Sequence, residues 1–232
     1  MPQFNTWENE YKSSKLLVIK KAEPQNDTLR FFRYLKKYEK FKLEGLRVLD
    51  LGSGTGRNAN YLAKLGNVVV GMEISHTAID IAKKRAKEIG VEKNVTYQNR
   101  NIGSAYPFED QYFDLILDVT SSNSLNNVER DVYIQEVYRT LKKGGYLFVR
   151  ALCLDGDKNA KNLLKICPGP EYDTYVILEL GLIERVFGEQ DFRELYGRHF
   201  KIKKLLKKSG YAKMQGQNYK RNYWLAYMQK VD

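Results

Sequence analysis

Between residues 46 and 153 the chain alternates two hydrophobic rhythms. Short apolar runs over 46–51, 67–72, 94–98, 112–119 and 146–153 stop at glycines or polar turns and read as buried strands. Between them, 57–65, 75–89 and 127–142 carry apolar residues near a 3.6-residue period, the mark of helices packed on a sheet. Ser75 and Gly90 bracket the middle helix, and Gly144-Gly145 closes the last. Strands alternating with helices predict a parallel sheet covered on both faces, a doubly wound α/β three-layer sandwich. Ahead of it, 7–22 reads as a helix with Trp7 and Tyr11. A second helix is capped by Asn26-Asp27 and carries Leu29, Phe32, Leu35, Tyr38 and Phe41. After residue 153 the rhythm breaks. Residues 157–190 read as irregular or helical around Pro168-Gly169-Pro170. Residues 200–208, a Ser209-Gly210 turn and 223–230 then predict a closing hairpin, which gives the sheet one antiparallel strand.

Composition narrows the function classes. The 232 residues include 43% apolar and 29% charged side chains, a globular profile long enough for a sizeable core. No apolar run approaches the roughly 18 residues that span a bilayer, and the first residues lack the basic-then-apolar order of a secretory signal. Two cysteines and two histidines argue against a disulfide framework and a Cys- or His-built metal site. These features predict a cytoplasmic protein. The net charge of +11 is unevenly placed: +5 over residues 1–47, −2 over 48–200 and +8 over 201–232. Two basic flanks therefore surround a near-neutral body, and such flanks suit a polyanionic partner or two solvated faces.

Chemistry enters at the end of the first strand. Asp50-Leu51-Gly52-Ser53-Gly54-Thr55-Gly56 is a strand–glycine loop–helix turn whose glycines let a ligand approach the backbone. The second strand ends in Glu73, placed to accept both hydroxyls of a ribose. A dinucleotide site prefers G-x-G-x-x-G and a helix N-terminus facing a pyrophosphate. Here the spacing is G-x-G-x-G with an acid before it. That acid repels phosphate but suits a cofactor carrying an ammonium and a sulfonium, so electrostatics favour S-adenosylmethionine.

These residues also carry a family resemblance. Val48-Leu49-Asp50-Leu51-Gly52-Ser53-Gly54-Thr55-Gly56 resembles the first motif of class I S-adenosylmethionine-dependent methyltransferases. Gly71-Met72-Glu73-Ile74-Ser75 resembles the second. Asn101-Ile102, followed by Tyr106-Pro107-Phe108-Glu109-Asp110-Gln111-Tyr112-Phe113-Asp114, resembles the third, and Arg139-Thr140-Leu141-Lys142-Lys143-Gly144-Gly145 the approach to the fifth strand. The start of the chain and the stretch 56–63 are similar to the tellurite and thiopurine type, and 108–114 to the ubiquinone-biosynthesis type. The resemblance implies seven strands in the order 3-2-1-4-5-7-6. It also implies one domain over 1–232: a helical cap (1–45), a cofactor core (46–152), a lid (153–198) and the hairpin (199–232).

Site roles follow from the resemblance. Gly52, Ser53, Gly54 and Gly56 would present backbone to the methionine end, and Glu73 would hold the ribose. Ile74 and Ile102 would sandwich adenine. Asp50 would orient the ammonium or brace the loop. Asn101, where relatives carry Asp, would accept from the adenine amino group; Lys143 replaces a common Pro. Asp118, ending the fourth strand, would touch the cofactor ammonium or the acceptor, and Tyr11 would contact the cofactor. Asp118, Tyr11 and His199 are the candidate bases. Tyr172, Tyr175 and Arg185 in the lid are the candidate substrate contacts. The expected acceptor is a small molecule at oxygen, nitrogen or a chalcogen, acted on by a monomer or homodimer. RNA held through the basic flanks is the alternative, and a non-catalytic cofactor-binding subunit a third.

Overall fold

A computed structural model describes residues 3–14, 19–214 and 217–231. Its centre is a seven-stranded sheet: β1 (Arg47–Leu51), β2 (Val68–Glu73), β3 (Val95–Asn99), β4 (Phe113–Val119), β5 (Leu141–Leu152), β8 (Lys201–Met214) and β9 (Gln217–Gln229). The order is β3-β2-β1-β4-β5-β9-β8. The first five strands are parallel and β9 enters antiparallel between β5 and β8, which is the predicted pattern. A separate two-stranded sheet joins β6 (Thr174–Ile177) to β7 (Leu182–Arg185).

Period-two alternation splits the central sheet between two cores. Val48, Leu115, Leu117, Phe148, Leu225 and Tyr227 face one side, against α2 (Asn26–Tyr34) and α3 (Arg57–Lys64). Leu49, Ile116, Leu147, Val149, Ala226 and Met228 face the other, against α5 (Asn127–Thr140) and α7 (Glu189–Gly197). The helices start where short polar side chains cap them. Ser75 Oγ accepts from Ala78 N–H at the head of α4 (His76–Glu88), and Asn126 and Glu129 form a reciprocal capping box on α5. Asp157 caps α6 (Lys158–Ile166) in the same way.

Five expectations change. The helix read over 127–142 ends at Thr140, and Gly144-Gly145 lies inside β5 instead of closing the helix. The first helix, α1, spans Phe4–Lys12 rather than 7–22; Ser13 leaves helical geometry, and Leu16, Leu17 and Val18 lie outside the described residues. The second helix ends in a π turn over Leu35–Glu39 instead of running to Phe41. The region 157–190 contains the β6–β7 hairpin as well as α6. Ser209-Gly210 is not a turn: both residues sit within β8, paired with Asn222 and Arg221.

The two basic flanks meet. Phe31 of α2 stacks on Phe148 of β5, and Tyr34 packs on Tyr227 of β9. Lys203 of β8 pairs with Glu39, and Lys208 with Asp27 at the head of α2. Lys203 and Lys208 of the second flank thus meet the first on the α2 side and are partly neutralised by its acids, while Lys230 turns to α5 on the other side.

Candidate active site

The turn after β1 is built around Glu73. Its Oε2 accepts from Gly54 N–H at 2.8 Å, while Oε1 accepts from Ile74 and Ser75 N–H at 2.8 and 2.9 Å. One carboxylate therefore ties the glycine loop to the start of the next turn. Burial pushes the Glu73 pKa up and these three N–H groups pull it down; the balance lies above the usual carboxylate range. Gly52 and Gly54 occupy left-handed backbone, with φ of +61° and +53°. A side chain on Gly52 would lie 2.1 Å from Ser121 Oγ, and one on Gly54 2.6 Å from the Tyr11 hydroxyl. Gly56, also at positive φ, is the N-cap of α3.

Asp50 lies beneath this loop and is 1% exposed. It accepts from Ala59 N–H in the first turn of α3, and its Oδ2 has no hydrogen-bond partner among the described residues. Burial, together with Asp118 and Glu73, pushes its pKa up to about 7 against the Ala59 bond. An aspartate titrates near 3.9 when unfolded, so between about pH 4 and 7 the folded state holds a proton that the unfolded state releases. Stability contributed by this group is therefore full below pH 4 and is lost as pH rises toward 7. We expect the thermal midpoint to fall over that window and Asp50→Asn to flatten the fall; an unchanged profile in the variant would contradict this assignment. A cation bound beside the loop would draw that proton off. Cofactor binding near pH 7 should therefore release protons, read calorimetrically as a dependence of binding heat on buffer.

Two clefts open from the loop. The first is lined by Gln3, Trp7, Tyr11, Gly52, Glu73, Ile74, Asn101, Ile102, Leu125 and Glu129 among others. It brings together most of the residues expected to hold a nucleoside. Asn101 differs from expectation in detail. Its Oδ1 accepts from Gly103 N–H at 2.9 Å and its Nδ2 donates to Glu129 Oε1 at 2.8 Å, so it first braces its own turn. Glu129 enters the cleft because the capping box on α5 places it there, a position no cofactor motif marks. α1 spans the mouth, pinned by Glu8 to the Ser75 and Thr77 hydroxyls and by Gln3 to the backbone of Ser124 and Ile183.

The second cleft, of about 850 Å³ and open to solvent, shares Trp7, Tyr11, Gly52, Val119 and Thr120 with the first. Arg57, Asn58, Arg150, Lys208, Tyr223 and Glu184 line its other sides. Thr120 has φ +64°, a strained conformation for a β-branched residue, and its N–H donates to Arg150 O at 2.8 Å. Tertiary contacts alone assemble this wall.

Several candidates fall elsewhere. Asp118 is sealed on the α5 side of the sheet: Oδ1 accepts from Ser121 and Ser122 N–H, and Oδ2 from the Tyr133 hydroxyl. Fully buried, it borders neither cleft, because alternation along β4 turns it away from the side that Val119 faces. Tyr172 is 78% exposed on the surface and lines neither cleft. Tyr175 is buried, donating to Glu184 Oε2 at 2.6 Å and accepting from Arg221 Nη2 at 2.7 Å. Arg185 is held by Asp191 and stacks over Phe187. His199 packs on Tyr138, away from both clefts. Tyr11 borders both clefts, yet burial, then Glu73, Glu10 and Asp50, keep its phenol protonated and unsuited to act as a base.

The donor set fits S-adenosylmethionine. Asp50 Oδ2 and Ser53 Oγ are buried without hydrogen-bond partners among the described residues, beside glycines whose missing side chains leave room. Buried acids beside the loop favour a cation, and the first cleft offers apolar side chains beside a ribose-height carboxylate. Among the described residues no cluster of His, Cys, Asp and Glu could hold a metal, and no helix is long and apolar enough to cross a membrane.

Comparison with known proteins agrees. Residues 49–149 match the family described as "Methyltransferase domain". The chain is similar to a ubiquinone/menaquinone biosynthesis C-methyltransferase of Vibrio vulnificus, 34% identical over 110 residues, covering 45% of this chain and 40% of that protein. It is also similar to a ubiquinone biosynthesis O-methyltransferase of Chelativorans, 34% identical over 109 residues, with 47% and 41% covered. The matched part thus spans about two fifths of these relatives' length. Across nearly the whole chain the fold resembles the 1,6-didemethyltoxoflavin-N1-methyltransferase of Burkholderia thailandensis, solved with S-adenosylhomocysteine. That likeness has a TM-score of 0.70 at 16% identity, covering 99% of this chain and 87% of that one. With four motifs in order and this sheet, residues 49–149 match a methyltransferase domain of the S-adenosylmethionine-dependent type.

Proposed function

We propose that the chain transfers the methyl group of S-adenosylmethionine to a small-molecule acceptor bound in the second cleft. The observation that carries this reading is the pair of joined clefts meeting at Gly52, Thr120, Trp7 and Tyr11. The cofactor supplies a methyl group on a good leaving group, a thioether sulfur. The protein's part is then chiefly to hold the acceptor atom in line. Glu73 holds the ribose, Ile74 and Ile102 flank adenine, and Gly52, Ser53 and Gly54 present backbone to the methionine end. Asp50 sets the negative potential under the ammonium. Trp7 and Tyr11 cover the junction and exclude water. The matched relatives and the Burkholderia enzyme are named for small molecules, which supports the acceptor class. The C-methyltransferase name adds carbon to oxygen, nitrogen and chalcogen as acceptor atoms.

Titration with S-adenosylhomocysteine tests the cofactor half, and absence of binding would overturn it. Label transfer from methyl-tritiated cofactor to a small-molecule extract, against total RNA, tests the acceptor half. The meeting of the basic flanks on one side of the sheet favours RNA as a second reading. Label in RNA would replace the first reading with that one. Label in neither would point to a cofactor-binding subunit.

A further inference from the structure

The second cleft has a charged wall whose geometry selects a kind of acceptor. Asp27, at the head of α2, is 2% exposed and serves two cations at once. Arg150 Nε approaches its Oδ2 at 3.2 Å, and Lys208 Nζ pairs with its Oδ1. Two cations on one carboxylate leave a positive charge at the cleft surface. The Arg150 guanidinium lies 3.5 Å from the centre of the Tyr223 ring, which fixes its plane. Among the described residues its one side-chain hydrogen bond is the Nε bond to Asp27, so both Nη groups are open for a bidentate partner.

Arg150 is also close to the chemistry. Its carbonyl accepts from Thr120 N–H, and Ser121, the next residue, contacts Gly52 of the cofactor loop. Across the cleft one cation, Arg221, serves two carboxylates, Glu184 and Asp157, so that wall is locally acidic. Glu184 accepts from the Tyr175 hydroxyl, which in turn accepts from Arg221, and Arg221 pairs with buried Asp157. Glu23 and Lys21 are both present at the rim, as is Arg57. The Arg150–Lys208–Asp27 cluster therefore carries one net positive charge on its own wall, opposite the acidic side, while Lys21, Glu23 and Arg57 leave a second one at the rim. Leu152, Ile177, Leu182 and Tyr223 supply apolar and aromatic surface beside the cluster.

We infer that the methyl acceptor is a small planar molecule bearing a carboxylate, which docks on the Arg150–Lys208 pair while its ring system lies against Tyr223 and the inner face of the β6–β7 hairpin. This deepens the small-molecule reading and rests on it. A carboxylate fits the guanidinium fork and displaces only solvent, because Asp27 already keeps both cations in place. A neutral isostere would leave the pair unneutralised and gain only the apolar contact.

The test separates this proposal from the cofactor reading. S-adenosylhomocysteine is titrated first into the wild type and into Lys208→Met, Arg150→Gln and Asp27→Asn/Lys208→Met. Equal affinity, within about twofold, is expected in all four proteins, since none of these side chains lines the first cleft or belongs to the glycine loop. No binding in any of them overturns the cofactor reading itself. The loaded proteins are then titrated with 2-naphthoate and with 2-naphthamide, a matched pair of equal shape. The wild type should bind the acid about tenfold tighter than the amide, a preference that shrinks as salt is raised. Lys208→Met and Arg150→Gln should each cut acid affinity about fivefold and leave amide affinity unchanged. The double variant, which leaves no unpaired buried carboxylate, should behave like Lys208→Met even where Lys208→Met folds poorly. Equal affinity for acid and amide, binding of neither, or an acid preference that survives all three variants would each overturn the proposal.

Discussion

Glu73→Ala should lower S-adenosylhomocysteine affinity by more than about 100-fold and also destabilise the apo protein. The carboxylate is at once a ligand to the ribose in our reading and the acceptor of three backbone N–H groups. Leaving buried donors unmet costs about 1–3 kcal/mol each. Water entering from the cleft offsets much of that, so a net loss of about 3 kcal/mol is reasonable. At about 2–4 °C per kcal/mol for a domain of this size, the melting temperature should drop by about 6–12 °C. Glu73→Gln keeps one acceptor oxygen but turns an amide toward N–H donors, so it should fall between. Because Glu73 also raises the Asp50 pKa, Glu73→Gln should shift the pH profile of stability downward. Wild-type affinity in Glu73→Ala would remove the ribose role; wild-type melting would remove the bracing role.

Gly52→Ala is expected to be nearly as damaging, for a reason that can be undone. Alanine at φ +61° costs about 1–2 kcal/mol by itself. The larger cost is contact: the new methyl would sit 2.1 Å from Ser121 Oγ and 2.4 Å from its Cβ, forcing the loop after β4 away from the loop after β1. Affinity for S-adenosylhomocysteine should fall by more than about tenfold, since Gly52 and Ser121 both line the first cleft. Ser121→Gly in the same chain should restore most of that loss, leaving the φ cost. Ser121→Gly alone should be mild, because the bond it removes is a long one, 3.3 Å to Gly52 O. A double variant as poor as Gly52→Ala would show that strain at φ, not the clash, governs the loop.

Most of the cofactor side was legible in the chain. A tight turn needs glycine, a cap needs a short polar side chain, and a buried strand needs consecutive apolar residues; each of these is a local demand written at its own position. Gly52, Glu73, Ile74, Ile102 and Tyr11 accordingly border the same cleft, and Gly54 lies on the second, which joins it. Asp118 was misplaced because its location at a strand end was readable but its face was not. One residue of alternation separates the side of Val119 from the side of Tyr133. Tyr172, Tyr175 and Arg185 failed for a related reason. The β6–β7 hairpin has no period strong enough to show which residues turn inward. Its register, Tyr175 opposite Glu184 and Ile177 opposite Leu182, decides that Glu184 and Leu182 reach the cleft. Ser209-Gly210 looked like a turn because glycine commonly is one, whereas both residues continue the β8 ladder, paired with Asn222 and Arg221.

The chain by itself determined the alternating strands and helices, the glycine loop and the acid after the second strand, because each is a local pattern, while the strand order was implied only by the family resemblance. The chain also determined that the charge of +11 resides in the two ends. Only the tertiary structure decided what that charge does. Folding places α2 against β9 and β8 across nearly two hundred residues of chain, so that Asp27 gathers Arg150 and Lys208 at the edge of the acceptor cleft. Electrostatic partners act through distance in space, and separation along the chain carries no record of it.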